Sequence, residues 1–245
     1  MFRCVRQQEI NGYDRDQDHR RRTRRRPVQA YYAEPEGQPT AAIIVIQEIF
    51  GINAGIRRKC DTLAEAGYLA VAPDLFHKIA PGIELDPDVP HEMQQALDLM
   101  GQFDQDGGIR DIEATIQAIR DEHGADFKVG VVGYCLGGRL AFMTAARTDV
   151  DASVGYYGVG IDGLLDEKHA IAKPVLLHIP EEDHFVDKDA QKRMHEGLDD
   201  HPKVTLYDYP GEDHGFATEF GQRRSDESAK LADERTMAFF AEHLR

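Results

Sequence analysis

The stretch KVGVVGYCLGG, residues 128–138, defines the fold more clearly than any other part of the sequence. Lys128–Val132 is a short apolar run, which is typical of a strand buried on both faces. A helical pattern, Gly137–Arg147, begins only a few residues later. The stretch therefore predicts a strand that passes through a very tight turn into a helix.

Strand and helix patterns alternate on both sides of this unit. The further predicted strands are Ala41–Ile46, Tyr68–Ala72, Ala152–Tyr156, Val175–Ile179 and Val204–Tyr209. The further predicted helices are Ile56–Ala66, Glu92–Phe103, Ile109–Glu122, Asp187–Leu198 and Ser225–Leu244. This alternation predicts one α/β domain over residues 27–245, with a mostly parallel sheet covered by helices on both faces. In such sheets the reactive groups gather beyond the carboxyl ends of the strands.

Charge is distributed unevenly along the chain, which has a formal net charge of −15. Residues 1–26 contain nine arginines against four acidic residues, so the remainder is strongly acidic. An acidic domain repels phosphate backbones, and we therefore expect no nucleic-acid partner. Residues 1–26 are predicted to be a poorly ordered, Arg-rich extension, with a basic contact tail as the alternative.

The apolar and cysteine content bears on location and cofactors. The sequence has no run of about 20 apolar residues and no apolar signal segment, which predicts a cytoplasmic protein without membrane contact. The sequence has three cysteines, Cys4, Cys60 and Cys135, and so small and odd a number argues against a disulfide framework. Since no Cys/His spacing typical of a metal site occurs, we expect neither a metal nor another cofactor.

Cys135 is the predicted nucleophile. The segment Gly133–Gly137 has the form G-x-nucleophile-x-G, the nucleophile elbow of α/β-hydrolases with cysteine in place of serine. The glycines are needed because the turn is too tight for side chains at both flanks. The alternative interpretation is a buried cysteine that only packs on a Gly-rich turn.

A cysteine nucleophile needs a base and an acid that orients the base, and in this fold both follow it in the chain. His214, after the last predicted strand, is the predicted base, and Asp183, after the preceding strand, is the predicted acid. Other candidates for the base are His178, His184, His195 and His201. Other candidates for the acid are Glu181, Glu182 and Asp187. These acids could also be solvated turn residues without a function.

Glu48 is a second carboxylate of interest, because it directly follows the apolar strand Ala41–Ile46 and Gln47. A charge beside a buried run is costly unless it is paired. The end of this strand is also where α/β-hydrolases build part of the oxyanion hole. We therefore predict an oxyanion hole from the backbone N–H groups of Leu136 and Ile49, with Glu48 facing the thiol. A surface glutamate at a strand end is the alternative.

Several motifs together resemble those of the dienelactone hydrolase family. They are QEIFGIN (47–53), APDLF (72–76), VGYCLGG (132–138), VGYYGVG (154–160), DHFV (183–186) and HGFA (214–217). The similarity runs from about residue 28 to the C-terminus and leaves out the first 26 residues. It implies a single-domain α/β-hydrolase fold and a carboxymethylenebutenolidase-like activity.

The resemblance also implies roles for individual residues. It gives Cys135, Asp183 and His214 as the catalytic triad. It gives Glu48 as the carboxylate that restrains the thiol and takes its proton when substrate binds. Tyr157 matches a pocket tyrosine of the family, and Phe50 and Phe216, which lie within the shared motifs, are expected to contact the substrate.

The sequence departs from the family where the substrate carboxylate is bound. The two arginines that bind it in the family correspond to Met93 and Thr218, and a nearby pocket tyrosine corresponds to Leu97. Met93 and Leu97 are thus expected to line the pocket, without the charge-assisted hydrogen bonds that select a carboxylate. A neutral or larger ester or lactone is equally compatible with these residues.

The predicted function is hydrolysis of small carboxylic esters or lactones through an acyl-enzyme on Cys135, by a monomer or weak dimer. One alternative is an acyltransferase on the same fold, which passes the acyl group to an acceptor other than water. The other is a non-catalytic protein whose thiol senses oxidants. A sensor would not need a complete Cys–Asp–His set, whereas its thiol would oxidise readily.

Overall fold

A mixed sheet of eight strands forms the centre of the computed structural model, which describes residues 5–10, 13–15, 22–24 and 28–244. The strands in chain order are β1 (Val5–Ile10), β2 (Tyr13–Arg15), β3 (Arg22–Arg24), β4 (Val28–Ala33), β5 (Ala42–Ile46), β6 (Leu69–Pro73), β7 (Val129–Tyr134), β8 (Ala152–Tyr156), β9 (Val175–Pro180) and β10 (Val204–Tyr209). β2 and β3 form a separate antiparallel pair. The other strands have the order β1-β4-β6-β5-β7-β8-β9-β10 in the sheet.

The sheet is parallel from β6 through to β10, and only β1 and β4 run antiparallel to their neighbours. β5 and β7 are fully buried apolar strands, as expected where helices cover both faces. The prediction of a mostly parallel sheet is confirmed. Because β5, β7, β8, β9 and β10 are parallel and adjacent, the loops after them meet at one edge of the sheet.

Helices lie on both faces of the sheet. They are α1 (Ala54–Glu65), α2 (Pro90–Gln102), α3 (Gln105–His123), α4 (Leu136–Arg147), α5 (Lys188–Leu198) and α6 (Asp226–His243), with a 3-10 helix at Ile161–Ala170. Strand side chains alternate between the two cores. In β5, Ile44 packs in the core that contains residues of α3 and α4, whereas Ile43 packs in the core that contains residues of α1 and α6.

Two parts of the sheet were not predicted from the sequence. β4 carries the run VQAYYA, and β1 pairs with it along its whole length through backbone hydrogen bonds. Pairing of this kind depends little on side-chain pattern, and β1 has the mostly polar sequence VRQQEI. Most of residues 11–27 lie outside the described residues, so the poor order predicted for 1–26 and the boundary after 26 remain predictions.

None of the helices within the described residues combines the length and the apolar composition that a bilayer-crossing segment requires.

Candidate active site

Cys135 occupies the turn between β7 and α4, and its backbone is in the left-handed region with a φ of 56°. Among the described residues only one other non-glycine residue, Tyr157, has a positive φ. Such a conformation is strained for an L-residue and persists only where the surroundings enforce it. Here the N–H of Cys135 donates to the carbonyl oxygen of Tyr156 at 3.0 Å, and the side chain is 8% exposed.

Close backbone approach explains the two glycines of this turn. A Cβ atom on Gly133 would overlap the carbonyl oxygen of Gly137. A Cβ atom on Gly137 would lie 2.7 Å from the carbonyl oxygen of Gln47. The start of α4 therefore touches the chain just beyond β5, which places the loop that carries Glu48 beside the turn that carries Cys135.

His214 and Asp183 form a buried pair that joins the loops after β10 and β9. Nδ1 of His214 lies 3.0 and 3.1 Å from the two carboxylate oxygens of Asp183. Oδ1 of Asp183 also accepts the N–H of Phe185 at 2.8 Å, which fixes the carboxylate. The other ring nitrogen of His214, Nε2, has no hydrogen-bond partner within the described part of the chain. His214 and Cys135 line the same cavity, so this nitrogen is the one available to it.

Asp213 holds the two loops together and was not predicted as a site residue. Its Oδ1 accepts the backbone N–H of His214 at 2.6 Å and that of His184 at 3.0 Å. The same oxygen lies 2.8 Å from Nδ1 of His184. An acidic residue beside a histidine was visible in the sequence, but its link to the preceding loop was not.

The other candidate bases have different partners. His178 is buried between the hydroxyl groups of Tyr209 and Thr236. His195 pairs with Asp199 and Asp208, and His184 pairs with Asp213. His201 lies within hydrogen-bond distance of a backbone carbonyl oxygen.

The other candidate acids lie near Asp183 in the chain but do not contact His214. Asp187 caps α5 by accepting the N–H of Ala190. Glu182 pairs with Lys188 at 3.2 Å, and the backbone carbonyl of Glu181 accepts from the same lysine. Of the predicted acids, the structure brings Asp183 to His214.

The charges around His214 favour its protonated form. Burial by itself would lower the pKa of His214. The negative charge of a Cys135 thiolate and the Asp183 carboxylate act in the opposite direction and raise this pKa to about 10. The arrangement is therefore suited to an imidazolium–thiolate pair.

The thiol cavity, which we define as the cavity lined by Cys135 and His214, has a volume of about 270 Å³ and a mainly apolar wall. Met93, Leu97 and Met100 form a stripe along one side of α2, at the spacing that places residues on one helix face. The other lining residues are Ile49, Phe50, Gln105, Leu136, Arg139, Val159, Phe185 and Arg223. The structure thus places the predicted pocket residues Phe50, Met93 and Leu97 around the thiol.

Two other residues expected to contact substrate lie elsewhere. Phe216 is a core residue, whose ring packs 4.7 Å from that of Tyr209 and 5.8 Å from that of Tyr157. It lines neither cavity of the site, because it is buried in the core on that face of the sheet. Tyr157 lines a second cavity, described below, and not the thiol cavity.

The residues predicted to form the oxyanion hole both line the thiol cavity. Leu136 is the first residue of α4, where a backbone N–H has no acceptor within its own helix. Ile49 follows β5 and lies beside the Cys135 turn. The positive end of the α4 dipole also points at this position.

Glu48 is buried at 7% exposure and faces a second cavity of about 320 Å³, which we call the polar cavity. Oε1 of Glu48 lies 3.9 Å from Nη2 of Arg223, whose guanidinium also stacks over the Phe50 ring. Arg223 lines both cavities and so lies between them. Sequence reasoning missed it, because it lies five residues beyond Thr218, where the family motif places its arginine.

The polar cavity contains an unusual group of buried polar atoms. Four atoms of residues that line it have no hydrogen-bond partner within the described residues: Oε1 of Glu48, the hydroxyl oxygen of Tyr157, Oγ1 of Thr218 and Nη2 of Arg223. Most buried polar groups in proteins are hydrogen-bonded, and each exception costs stability. Their concentration beside the Cys135 turn therefore requires an explanation.

Within the part of the chain that the structure describes, one group of side chains has the spacing of metal ligands. Ligand atoms of Asp183, His184 and Asp213 lie within 4.8 Å of one another. The Asp183 carboxylate already accepts from His214 and Phe185, so a cation there would compete with the orientation of His214. The expectation of no metal and no cofactor remains a prediction.

Comparison with known proteins gives consistent relatives. The model of the dienelactone hydrolase family matches residues 28–244. The carboxymethylenebutenolidase of Pseudomonas putida is 39% identical over 212 residues, which is 86% of this chain and 90% of that protein. A relative from Azospirillum brasilense is 44% identical over 216 residues, which is 88% of this chain and 93% of its own length.

The fold is also found among solved structures. A structure from Klebsiella pneumoniae matches with a TM-score of 0.82 and 26% sequence identity, and the match covers 99% of this chain and 100% of the other.

Proposed function

The chain belongs to the dienelactone hydrolase family, and on this basis we propose that it hydrolyses small carboxylic esters or lactones with Cys135 as nucleophile. Membership, which confirms the resemblance seen in the motifs, makes the protein a carboxylic ester or lactone hydrolase with the α/β-hydrolase fold. The identity of the nucleophile, the acyl-enzyme and the substrate are our proposal.

The observation that carries the proposal is the buried His214–Asp183 pair, whose histidine lines the same cavity as Cys135. In the first step the thiolate adds to the ester carbonyl, and the N–H groups of Leu136 and Ile49 stabilise the oxyanion. The C–O bond then breaks, and His214 protonates the departing oxygen. A thioester on Cys135 remains.

Water completes the reaction. His214, now neutral, takes a proton from a water molecule that adds to the thioester carbonyl. Collapse of this second tetrahedral intermediate breaks the C–S bond, whose electron pair stays on the sulfur, and releases the carboxylic acid. The thiolate then recovers its proton from Glu48. Asp183 holds the ring of His214 in one orientation through both steps.

Glu48 acts before the first step. It restrains the thiol at rest and accepts its proton when substrate binds, so that the thiolate forms only then. Arg223 pairs with Glu48 at 3.9 Å. A substrate carboxylate that paired with Arg223 would draw it from Glu48 and free the carboxylate to accept the proton.

Substrate preference is tested with matched compounds. Arg139 also lines the thiol cavity, but it already donates to Gln105 and to the carbonyl oxygens of Val159 and Gly160. Arg223 is then the remaining guanidinium of that cavity, and the panel should pair dienelactone with neutral lactones and esters of similar size. A preference for dienelactone, which carries a free carboxylate, would support a role of Arg223 in substrate binding. A preference for the neutral compounds would indicate that the apolar wall determines which substrate binds.

The proposed nucleophile is tested on the same panel with the wild type, Cys135→Ala and a matched control, Cys60→Ala. Cys60 is buried in α1 and lines neither cavity. We expect Cys135→Ala to lose about 10⁴-fold or more in kcat, as for the removal of a triad nucleophile, and Cys60→Ala to remain active. Turnover by Cys135→Ala at the wild-type rate would overturn the proposal, and acyl transfer to added alcohols instead of water would favour the acyltransferase alternative.

The binding partner, the oligomeric state and the location of the protein are also part of the proposal. A small ester or lactone as the only partner, a monomer or weak dimer, and a cytoplasmic location all remain predictions from the sequence.

A further inference from the structure

Tyr157 was expected to contact the substrate, but the geometry points to a different role. We infer that its hydroxyl donates a hydrogen bond to the Glu48 carboxylate and holds it where it accepts the Cys135 proton. Tyr157 is then a positioning residue that acts through Glu48. The inference rests on the proposed function, in which Glu48 takes that proton.

The backbone places Tyr157 beside the nucleophile. Tyr134 of β7 and Tyr156 of β8 are paired in the sheet, so the residues that follow them, Cys135 and Tyr157, leave neighbouring strands side by side. These are the two non-glycine residues with positive φ in the described chain, at 56° and 39°. A strained conformation at both positions indicates that the placement of both side chains is enforced.

The ring of Tyr157 is held firmly. It makes edge contacts with the rings of His214, at 5.0 Å between centroids, and Phe216, at 5.8 Å. Its backbone N–H donates to the carbonyl oxygen of His178 at 2.9 Å. The position of the hydroxyl group is therefore set by packing and does not depend on a hydrogen bond of its own.

The hydroxyl of Tyr157 is buried, and the whole residue is only 2% exposed. The hydroxyl has no hydrogen-bond partner within the described residues. Oε1 of Glu48 is also buried without a hydrogen bond, and both residues line the polar cavity. An O–H group is a donor and a carboxylate oxygen is an acceptor, so each is what the other lacks. A hydrogen bond between them would satisfy both at once.

The charges around the phenol agree with this assignment. Burial first, and then the negative charge of Glu48, raise the pKa of Tyr157 well above its ordinary value. The phenol therefore keeps its proton and can donate a hydrogen bond. The other titratable groups that face the pair are Arg223, Cys135, Tyr134, His214, Lys59 and Glu219. Arg223 competes for Glu48 in the resting arrangement, at 3.9 Å.

The proton transfer is simple. The S–H bond of Cys135 breaks, its electron pair stays on the sulfur, and the proton forms an O–H bond with Glu48. Tyr157 donates to the carboxylate before the transfer and keeps its own proton throughout. Its contribution is a charge-assisted hydrogen bond that holds the Glu48 carboxylate in place once Arg223 no longer pairs with it, and such a bond favours the charged form of its acceptor.

The test compares Tyr157→Phe, which keeps the ring, with Tyr134→Phe as the matched control. Tyr134 also lines the polar cavity, but the acids that act on it most strongly are Asp233 and Glu219. We expect Tyr157→Phe to lower kcat/KM at pH 7 about tenfold, mainly through kcat, and to move the acid limb of the pH profile upward by about one unit. Tyr134→Phe should leave both unchanged.

A double-mutant cycle with Glu48→Gln separates this role from others. If Tyr157 acts through Glu48, then Tyr157→Phe has no further effect in the Glu48→Gln background. The melting temperature of Tyr157→Phe should not fall, because the hydroxyl it removes has no partner at rest. A raised KM with an unmoved acid limb, or additive effects in the cycle, would overturn the inference. An inactive wild type would instead contradict the proposed function.

Discussion

Two buried histidines of this protein, His214 and His178, have opposite electrostatic surroundings. Their exposures are 2% and 1%, and burial lowers the pKa of both. At His178 the charges of Arg235 and Lys59 act in the same direction, and its pKa falls to about 3. At His214, Cys135 and Asp183 reverse the effect, and its pKa rises to about 10.

The difference shows that a negatively charged partner, and not burial, distinguishes the proposed base from a structural histidine. The ring nitrogens of His178 lie 2.7 Å from the hydroxyl of Tyr209 and 2.9 Å from that of Thr236, both of which are neutral. His178 is thus a neutral part of the core beneath the site. From the sequence alone, both histidines were candidates for the base.

The largest effect is expected when His214 loses its charged partner. Asp183→Asn should make the surroundings of His214 resemble those of His178, and kcat should fall about 10³- to 10⁴-fold because the ring loses its orientation and its counter-ion. Steady-state kinetics on the best ester substrate would measure this. Asp187→Asn, which alters a neighbouring acid at the start of α5, is the control and should retain activity. Nearly normal turnover by Asp183→Asn would contradict the comparison.

An intermediate effect is expected on stability in acid. The pKa of His178 is about 3 in the folded protein and near 6.5 in the unfolded chain, so below pH 6.5 the unfolded chain binds more protons. The stability that the neutral ring contributes is present above pH 6.5 and is lost as the pH falls toward 3. By pH 4.5 we expect a loss of about 3 kcal/mol from this group.

Urea unfolding at pH 7 and pH 4.5 measures this loss. His178→Gln, which cannot ionise but can still form hydrogen bonds, should show a smaller decline between the two pH values than the wild type. His201→Gln, at a partly exposed histidine, serves as the control. Equal declines in wild type and His178→Gln would show that the charge of His178 is not what destabilises the fold in acid.

The smallest effect concerns the cations near His178. Arg235 stacks over the ring of Tyr207 at 4.0 Å and is the largest cause after burial of the lowered pKa of His178. Arg235→Gln leaves the burial in place, so the pKa of His178 should rise by less than about one unit. Titration of the histidine ring signals by NMR would measure it. A change at His214 in this variant would indicate coupling between the two regions, which the comparison does not anticipate.

The sequence was most informative where the backbone itself requires particular residues. Gly133 and Gly137 reveal the turn because no other residue fits there, and the strand order then indicates which loops carry Asp183 and His214. The strands β5 to β9 were predictable for a different reason, since buried parallel strands are near-continuous apolar runs. β1 was not, because pairing at an edge leaves little trace in the side chains.

Side chains that reach the site from a distance were the harder part. Arg223 lies five residues from the position where a motif comparison looks for an arginine, and only the path of the loop brings it to Glu48. Whether Tyr157 faces the substrate or Glu48 depends on the backbone conformation after β8, which the sequence motif VGYYGVG (154–160) does not specify. Both are matters of tertiary geometry, which local sequence pattern does not contain.

The meeting of five strand ends at one sheet edge also affects when the protein can work during synthesis. The proposed groups follow five different strands, and the last of them, His214, comes after β10, which is an edge strand of the sheet. A nascent chain that has released β5 to β9 already holds the thiol, Glu48 and Asp183 but lacks the base. Hydrolytic competence would therefore arrive late and in one step, when the final strand docks.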